Sequence, residues 1–529
     1  MAQSVTVQDP PVAVAEPEVV ASPGIAVLPG RAPALRIALP WRLTWAQAAA
    51  AAMTISAAAG FSTISLFRYN HFAANGFDLG IQDQTVWGYS RLQIIPNTVL
   101  GIPNLLGDHF HPILMVLGPF RFFWDSAGVL LVAQGILLAV AGIPIYLWGA
   151  QRLGSIAGLA FQGAYLLFWG VLAGAVFDFH HVVFAVPAIS TALYAAVNSQ
   201  RRLLWAAVAA AMLTREDVAL TIIALGFYIA VVQRRALLGA ALMILNGAWF
   251  ILLLDYVMPA VSGSSYLHWT YEGLGNGPSS AVLYLLEHPI KSLELLATPM
   301  QKLRVGAGTL ANWLLLPLLS PLLLIAIPSF LERFWSSSSN LWSFHFQYSM
   351  LPAPILAFAA IDGAARLKAW SRGRFVSVTT IFLPAAALAT SGILSFGVVN
   401  SLGELTTYVS DSTAQQIQEC LDVIPAGASV AATDPLVPHL TSRAKIYEVT
   451  TYSRTDYIAI DVSTAGGVNS PDDSLRRIVQ DSLAGGYGVA CSKGYTVVLA
   501  RGAPLGQLSD QMQQWLSGAC TGRACLQDR

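Results

Sequence analysis

Charge is scarce in this sequence: Asp, Glu, Lys and Arg make up only 11% of its 529 residues, where soluble domains carry roughly 25%. A water-soluble globular chain is thereby excluded. Neither sign is in excess, because 29 basic and 29 acidic residues cancel, and the basic signature of a nucleic-acid binder is absent. A nucleotide-binding loop is missing as well. The glycine cluster GLGNGP at 273–278 lacks the Lys-Ser/Thr pair of a P-loop and does not join a strand to a helix, so an ATP-driven machine would need a partner's ATPase. Cysteine is confined to Cys420, Cys491, Cys520 and Cys525. What the chain does have is apolar: 55% hydrophobic residues and a mean hydropathy of +0.58, gathered in long runs with short polar breaks. That pattern predicts one polytopic α-helical membrane body with a small soluble appendage.

Residues 1–40 are rich in Ala, Val and Pro, show no sustained period, and lack the apolar core and cleavage site of a signal peptide. A disordered cytoplasmic tail is expected there. Residues 43–67 carry no charge and can cross a hydrocarbon core of roughly 30 Å. Further spans are expected near 126–150, 154–176, 182–198, 203–213, 218–232, 236–257, 303–318, 319–331, 348–363 and 376–397, about eleven in all. Several are shorter than the roughly 20 residues that a perpendicular helix requires, so two are expected to be broken or re-entrant. The transmembrane domain is placed at 41–398, with outer loops at 68–125, 258–302 and 332–347.

Arginines set the orientation. Arg31, Arg36 and Arg42, then Arg152, Arg201 with Arg202, Arg234 with Arg235, and Arg366, Lys368, Arg372 and Arg374 fall on alternate turns, which the positive-inside rule makes cytoplasmic. By parity all nine histidines and all four cysteines lie on the opposite side, with Asp78, Asp83, Asp108, Asp178, Glu216 and Asp217. Ionisable groups at the outer ends of many spans imply a shared polar cavity just outside the bilayer. The competing reading is that each caps a helix or pairs locally.

Beyond about residue 398 the apolar runs give way to alternating helical and strand patterns. Helices are expected at 415–423, 435–442, 474–483 and 508–516, and strands at 429–432, 445–449, 457–462, 488–491 and 495–499. This predicts a small extracytoplasmic α/β domain over 399–529, with 9 basic and 13 acidic residues. Its four cysteines allow three disulfide connectivities. Cys420–Cys491 with Cys520–Cys525 is the favoured pairing, and free thiols are the alternative.

Four segments carry candidate chemistry. GFDLGIQDQTVW (76–87) holds Asp78 and Asp83, five apart; a turn at Gly80 could aim both at one site, where a partly desolvated carboxylate suits general-base work on a hydroxyl. Helix N-capping is the alternative. LLGDHFHPILM (105–115) offers Asp108 and His109 as a carboxylate–imidazole pair. The i, i+2 spacing of His109 and His111 matches no zinc signature, so no metal ligands are assigned, although a divalent cation is compatible with the site. VFDFHHVVF (176–184) packs Asp178, His180 and His181 between apolar helices, an expensive arrangement unless they face a polar pocket. LTREDVAL (213–220) holds Arg215, Glu216 and Asp217: either a local ion pair, or an Arg presenting two parallel donors to a phosphate. The outer segment ERFWSSSSNLWSFHFQY (332–348) adds His345 as a site candidate, while Trp335 and Trp342 read as an interfacial belt. The loop at 258–302, with Tyr266, His268, Trp269, Tyr271 and Glu272, has the length of a lid or binding element.

Taken in order, FDLGIQDQ, LLGDHFHPILM, FDFHH, TREDVAL, HFQY with MLPAP, SVAATDPLVPHLTSRAKIY and TDYIAID resemble a widespread, uncharacterised bacterial and archaeal family of polytopic membrane proteins, a predicted membrane protein domain of unknown function. The resemblance covers nearly the whole chain after residue 60. That family is in turn similar in layout to the glycosyltransferase-C superfamily, whose members use polyprenyl-phosphate sugars on the outer face of the membrane. The resemblance implies an acid in the first outer loop that activates an acceptor hydroxyl, matched here by Asp78 or Asp83. It also implies an outer cavity for a lipid-phosphate donor, matched by Arg215. The adjacent pair of acids found in better-known superfamily members is absent, since Asp78 and Asp83 are separated.

The resulting expectation is an inner-membrane, multi-pass glycosyltransferase with a cytoplasmic N-terminus. It would transfer a sugar with inversion from a polyprenyl-phosphate donor to a cell-envelope glycan, lipid or protein. Asp78 or Asp83 would act as base, and Arg215, helped by His180, His181 or His345, would steady the departing phosphate. The distal domain would bind the acceptor or an envelope partner. Competing classes are a lipid-linked solute transporter or flippase, for which no repeat is visible, and a non-catalytic envelope scaffold.

Overall fold

The computed structural model describes residues 43–263, 268–404, 409–451, 454–464 and 472–519. The expected N-terminal tail, Tyr266, Cys520 and Cys525 lie outside these residues. The described part belongs to one compact unit, mostly helical, with a small sheet near the C-terminus.

The first helix, Trp45–Asn70, opens on a capping box in which Thr44 and Gln47 satisfy each other's backbone N–H groups. Its buried positions Ala46, Ala50, Thr54, Phe61, Ser65 and Tyr69 follow the helical repeat and form one stripe, so this helix lies at the rim of the bundle with its other faces uncovered. Four further helices are long and apolar enough to cross a membrane: Gly128–Leu153, Ala236–Ser262, Gln347–Trp370 and Val378–Gly397. The pair Ser155–Leu166 and Trp169–Val176, bent by 45°, is a sixth candidate.

About eleven spans were expected from hydropathy; five or six helices meet the length requirement among the described residues. The physical reason is that an apolar run is not yet a spanning helix. Arg201–Met212 has 12 residues and rises only about 18 Å. Pro112–Phe123, His181–Val197 and Val218–Val231 are likewise apolar but short.

Helices pack closely where side chains are small. A Cβ on Gly149 would lie 2.8 Å from the Gly158 Cα, so two glycines let Gly142–Leu153 and Ser155–Leu166 touch backbone to backbone. Gln347–Trp370 runs through the centre, with every residue from Ala353 through Ala365 buried.

The C-terminal sheet comprises β1 (Val430–Ala432), β2 (Ile446–Glu448), β3 (Tyr457–Asp461), β4 (Tyr487–Lys493) and β5 (Thr496–Arg501), ordered β2-β1-β3-β5-β4. β1 is parallel to both neighbours, while β5 runs antiparallel to β3 and β4. Helices Asp411–Leu421, Asp472–Ala484 and Asp510–Leu516 pack against it, and the segment expected as helix at 435–442 is a 3-10 turn, Asp434–His439, with Pro438 inside it. Cys420 and Cys491 are disulfide-bonded.

This module is not tethered at a distance. Its core residues Leu436, Val437, Leu440 and Ile446 are shared with Phe72, Ile81, Val99 and Leu105 of the first loop. His439 stacks on Tyr69 and Phe72, with ring centroids 4.2 and 4.1 Å apart. Thr98 Oγ1 accepts from the Ile446 amide at 3.0 Å. The loop that carries Asp78 and Asp83 is thus folded onto the C-terminal module.

Candidate functional site

The two carboxylates of the first loop meet different fates. Gly76–Gly80 forms a single wide π turn, followed without a break by the helix Ile81–Ser90. Asp434 fixes the turn from below, its Oδ1 accepting from the amides of Gly76 at 2.9 Å and Phe77 at 3.2 Å. A side chain at position 76 has no room, since its Cβ would lie 2.8 Å from Val437 Cβ. Held this way, Asp78 places Oδ1 3.2 Å from His180 Nε2 and keeps 29% of its side chain exposed. Asp83 has no exposure at all: Arg121 grips it through Nε at 2.9 Å and Nη2 at 3.0 Å, and Thr441 donates to its other side. Neither carboxylate caps the following helix.

Behind Asp78, Asp178 is buried and accepts from the Asn75 backbone and side chain at 2.8 and 2.7 Å. Arg68 Nη1 lies 3.7 Å away. Burial pushes the Asp178 carboxyl up, to about 6, with the charge of Asp78 adding and Arg68 and Asn75 opposing. His180 is oriented by three contacts: its amide donates to Gln134 Oε1 at 3.1 Å, Nδ1 lies 3.0 Å from the Asp178 carbonyl, and Nε2 faces Asp78. Burial disfavours the imidazolium, but the adjacent Asp78 carboxylate outweighs it and raises the His180 pKa.

The second group is rich in histidine. His109 Nδ1 lies 2.7 Å from Glu216 Oε1, and Glu216 Oε2 accepts from the Phe110 amide at 3.1 Å. His268 Nε2 lies 2.7 Å from Asp108 Oδ1 and its ring stacks on His109 at 4.1 Å. His111 and His181 are buried with ring centroids 4.4 Å apart, and among the described residues their ring nitrogens make no hydrogen bond. Burial and the neighbouring His109 lower His111 to about 4, and His181 falls well below its ordinary value for the same first reason. Burial would raise Glu216, yet His109 and Arg215 hold it well below the usual carboxylate range.

One oxygen of Asp108 and one nitrogen each of His109 and His268 lie within 4.8 Å of one another. A mixed imidazole and carboxylate set of this kind suits a divalent transition cation such as zinc.

Arg215 pairs with Asp217 and, at 3.2 Å, with Glu332. The local ion pair therefore forms, and the same guanidinium also lines a cleft with Val182, Ser329, Arg333, Gln347 and Tyr348.

Of the residues singled out in the sequence, Asp78, Asp178 and His180 form one group, and Asp108, His109, His181 and Glu216 a second, with Arg215 and Asp217 beside it. Asp83 is directed away, into the contact with Ser442 and Thr441 that Arg121 completes. His345 is exposed and bonded to its neighbour Ser343. The sequence reading passed over His268, Asp434, Glu332 and Arg333 as site residues. His268 was visible as a histidine in a long loop; nothing local to the other three marks them, since their roles depend on contacts across the chain.

The chain belongs to the predicted membrane protein family DUF2079, whose model matches residues 68–497. No curated protein matches it. Among solved structures it is similar to ArnT from Cupriavidus metallidurans bound to undecaprenyl phosphate, at 15% identity over 87% of this chain and 99% of that one, with a TM-score of 0.53. The apo state of the same protein aligns at 14% identity over 85% and 98% of the two chains, with a TM-score of 0.49. The first likeness shows a shared fold, consistent with the glycosyltransferase-C layout that the motifs resemble.

Proposed function

We propose that this family member is an integral-membrane glycosyltransferase that moves a sugar from a polyprenyl-phosphate donor to a hydroxyl of a cell-envelope acceptor. The observation that carries the reading is the partly exposed Asp78 carboxylate, held 3.2 Å from His180. Arg215 would supply the phosphate-binding cation from the cleft it shares with Tyr348. The fold shared with a structure bound to undecaprenyl phosphate supports a lipid-linked donor.

In this scheme the acceptor hydroxyl loses its proton to Asp78 as its oxygen attacks the anomeric carbon. The bond from that carbon to the phosphate oxygen breaks, and its electron pair leaves with the lipid phosphate, giving inversion. Arg215 stabilises the charge on the departing group, and a fixed guanidinium does so at no reorganisation cost. His180 orients the base, and the buried His181 packs between His109 and His111 without adding charge. Asp108, His109 and His268 would hold a divalent cation, which supplies Lewis-acid stabilisation when bound. Glu216 and Asp217 orient His109 and Arg215. His345, exposed at the rim, is left for acceptor contact.

We place the protein in the inner membrane, with residues 1–40 cytoplasmic and the domain at 399–529 outside, because basic residues mark the opposite turns. The test is transfer by the full chain in nanodiscs with a panel of polyprenyl-phosphate sugars, read by mass spectrometry. Consumption of a donor that stops in Asp78→Asn supports the reading; undiminished turnover in that variant removes Asp78 as the base.

A further inference from the structure

Arg333 is an anomaly in this fold. Only 3% of its surface is exposed, yet among the described residues neither Nη1 nor Nη2 makes a hydrogen bond. Its Nε is satisfied by the Leu341 carbonyl at 2.8 Å, and its guanidinium lies 5.7 Å from the Phe334 ring centroid. Those two contacts fix the plane of the group and leave its fork open. The nearby carboxylate of Glu332 does not close it, being turned to Arg215 at 3.2 Å.

A buried guanidinium with four idle N–H donors is costly, because burial strips its hydration and nothing replaces it. Burial lowers its pKa to about 10, which still leaves it charged at neutral pH. Residues rarely keep such an arrangement unless a ligand completes it. Arg333 lines a small cleft of about 40 Å³ together with Arg215, Ser329, Glu332, Gln347 and Tyr348. All of these side chains except Glu332 can donate a hydrogen bond, and Glu332 is already turned to Arg215.

We infer that Arg333 is the docking point for a tetrahedral phosphate, met through its two free Nη groups, in the cleft it shares with Arg215 and Tyr348. A guanidinium fork matches two phosphate oxygens in parallel, and Phe334 and Leu341 pre-set its orientation. The phosphate could belong to a lipid headgroup or be free in solution. The inference deepens the transferase reading by naming the group that grips the donor, and rests on that reading only for the lipid's identity.

Binding of undecaprenyl phosphate and, separately, of inorganic phosphate is measured on the full chain in phosphatidylcholine nanodiscs, for wild type, Arg333→Gln and Arg333→Lys. Wild type should bind the lipid phosphate, and Arg333→Gln should lose at least about tenfold in affinity, the loss expected for one charge-assisted contact. Arg333→Lys, which keeps the charge without the fork, should fall between. The melting temperature of ligand-free Arg333→Gln should equal or exceed that of wild type, because an unmatched buried charge has been removed. Inorganic phosphate competing with the lipid would identify a headgroup-independent site; lipid binding without such competition would assign the site to the lipid.

Unchanged lipid affinity in Arg333→Gln overturns the inference. So does a lowered melting temperature in both variants with no anion protection of wild type, which would make Arg333 a structural residue. Arg333-dependent binding without sugar transfer from any donor would sink the transferase reading and leave this one standing; transfer with Arg333-independent affinity would do the reverse.

Discussion

Asp83 and Arg121 face each other in two parallel hydrogen bonds of 2.9 and 3.0 Å, with 0% and 1% of their side chains exposed. Thr441 and Ser442 of the C-terminal module close the remaining sides. An ion pair sealed in this way welds the first loop to the module. Arg121 also pairs with the more exposed Asp125, so removing Asp83 leaves the guanidinium one carboxylate and costs part of the about 3–5 kcal/mol of a fully stranded buried charge. Asp83→Asn is therefore expected to lower the melting temperature strongly, whereas Asp78→Asn should leave it near wild type. Equal stability of the two variants would contradict this division of labour.

Activity should divide the other way. Loss of a general base lowers turnover by about 10²–10⁴-fold, so Asp78→Asn is expected to reduce kcat in that range with donor affinity retained. Asp83→Asn should reduce activity only in proportion to the folded protein that survives. Steady-state transfer normalised to folded protein, measured by size-exclusion recovery, separates the two.

Asp434 gives stability a pH signature. Burial, with Asp178 and Asp78 adding, pushes its carboxyl up from 3.8 to about 7, against the pull of the Phe77 and Gly76 amides. Between about pH 4 and 7 the folded chain keeps a proton that the unfolded chain has released, so stability falls as pH rises through this window. Below it both states are protonated and the penalty vanishes. Asn at 434 can still accept from Gly76 and Phe77 but cannot ionise. The melting temperature of Asp434→Asn relative to wild type should therefore climb from pH 4 to pH 7 and level off above; a flat difference would show that the site does not titrate there.

Gly76 tests how tightly the loop is seated. A methyl group there would meet Val437 Cβ at 2.8 Å and Asp434 Oδ1 at 3.0 Å. Gly76→Ala should cost about 1–3 kcal/mol and expose the first loop to limited proteolysis. A Gly60→Ala control, which meets nothing within 4 Å, should change neither.

The Asp108, His109 and His268 group predicts a response to zinc. Added Zn²⁺ should raise the melting temperature of the chelator-treated protein, since a ligand that binds only the folded state stabilises it. His268→Ala should abolish most of that rise. Absence of any shift in wild type at micromolar zinc would remove the metal from the mechanism.

Much of the architecture was legible in one dimension, because the forces that set it act locally. Period-2 and period-3.6 patterns located the five strands and their flanking helices to within a few residues, from β1 at Val430–Ala432 to the helix Asp510–Leu516. The acids and imidazoles in 76–87, 105–115, 176–184 and 213–220 are the ones the fold gathers into the two groups around His180 and His109. Span number was less legible, since hydropathy registers apolar character and not where a helix bends, as it does after Leu166.

What the chain by itself determined was its medium, its elements and the short list of groups able to do chemistry, because composition and periodicity follow from nearest neighbours. Only the tertiary structure gives Asp78 and Asp83 different surroundings. They stand five residues apart, yet one meets His180 and stays open while the other meets Arg121 and Thr441 and is sealed. A carboxylate's role depends on charge and water around it, and those partners arrive from 38 to 358 residues away along the chain. The same holds for Arg333, whose significance lies in hydrogen bonds it does not make.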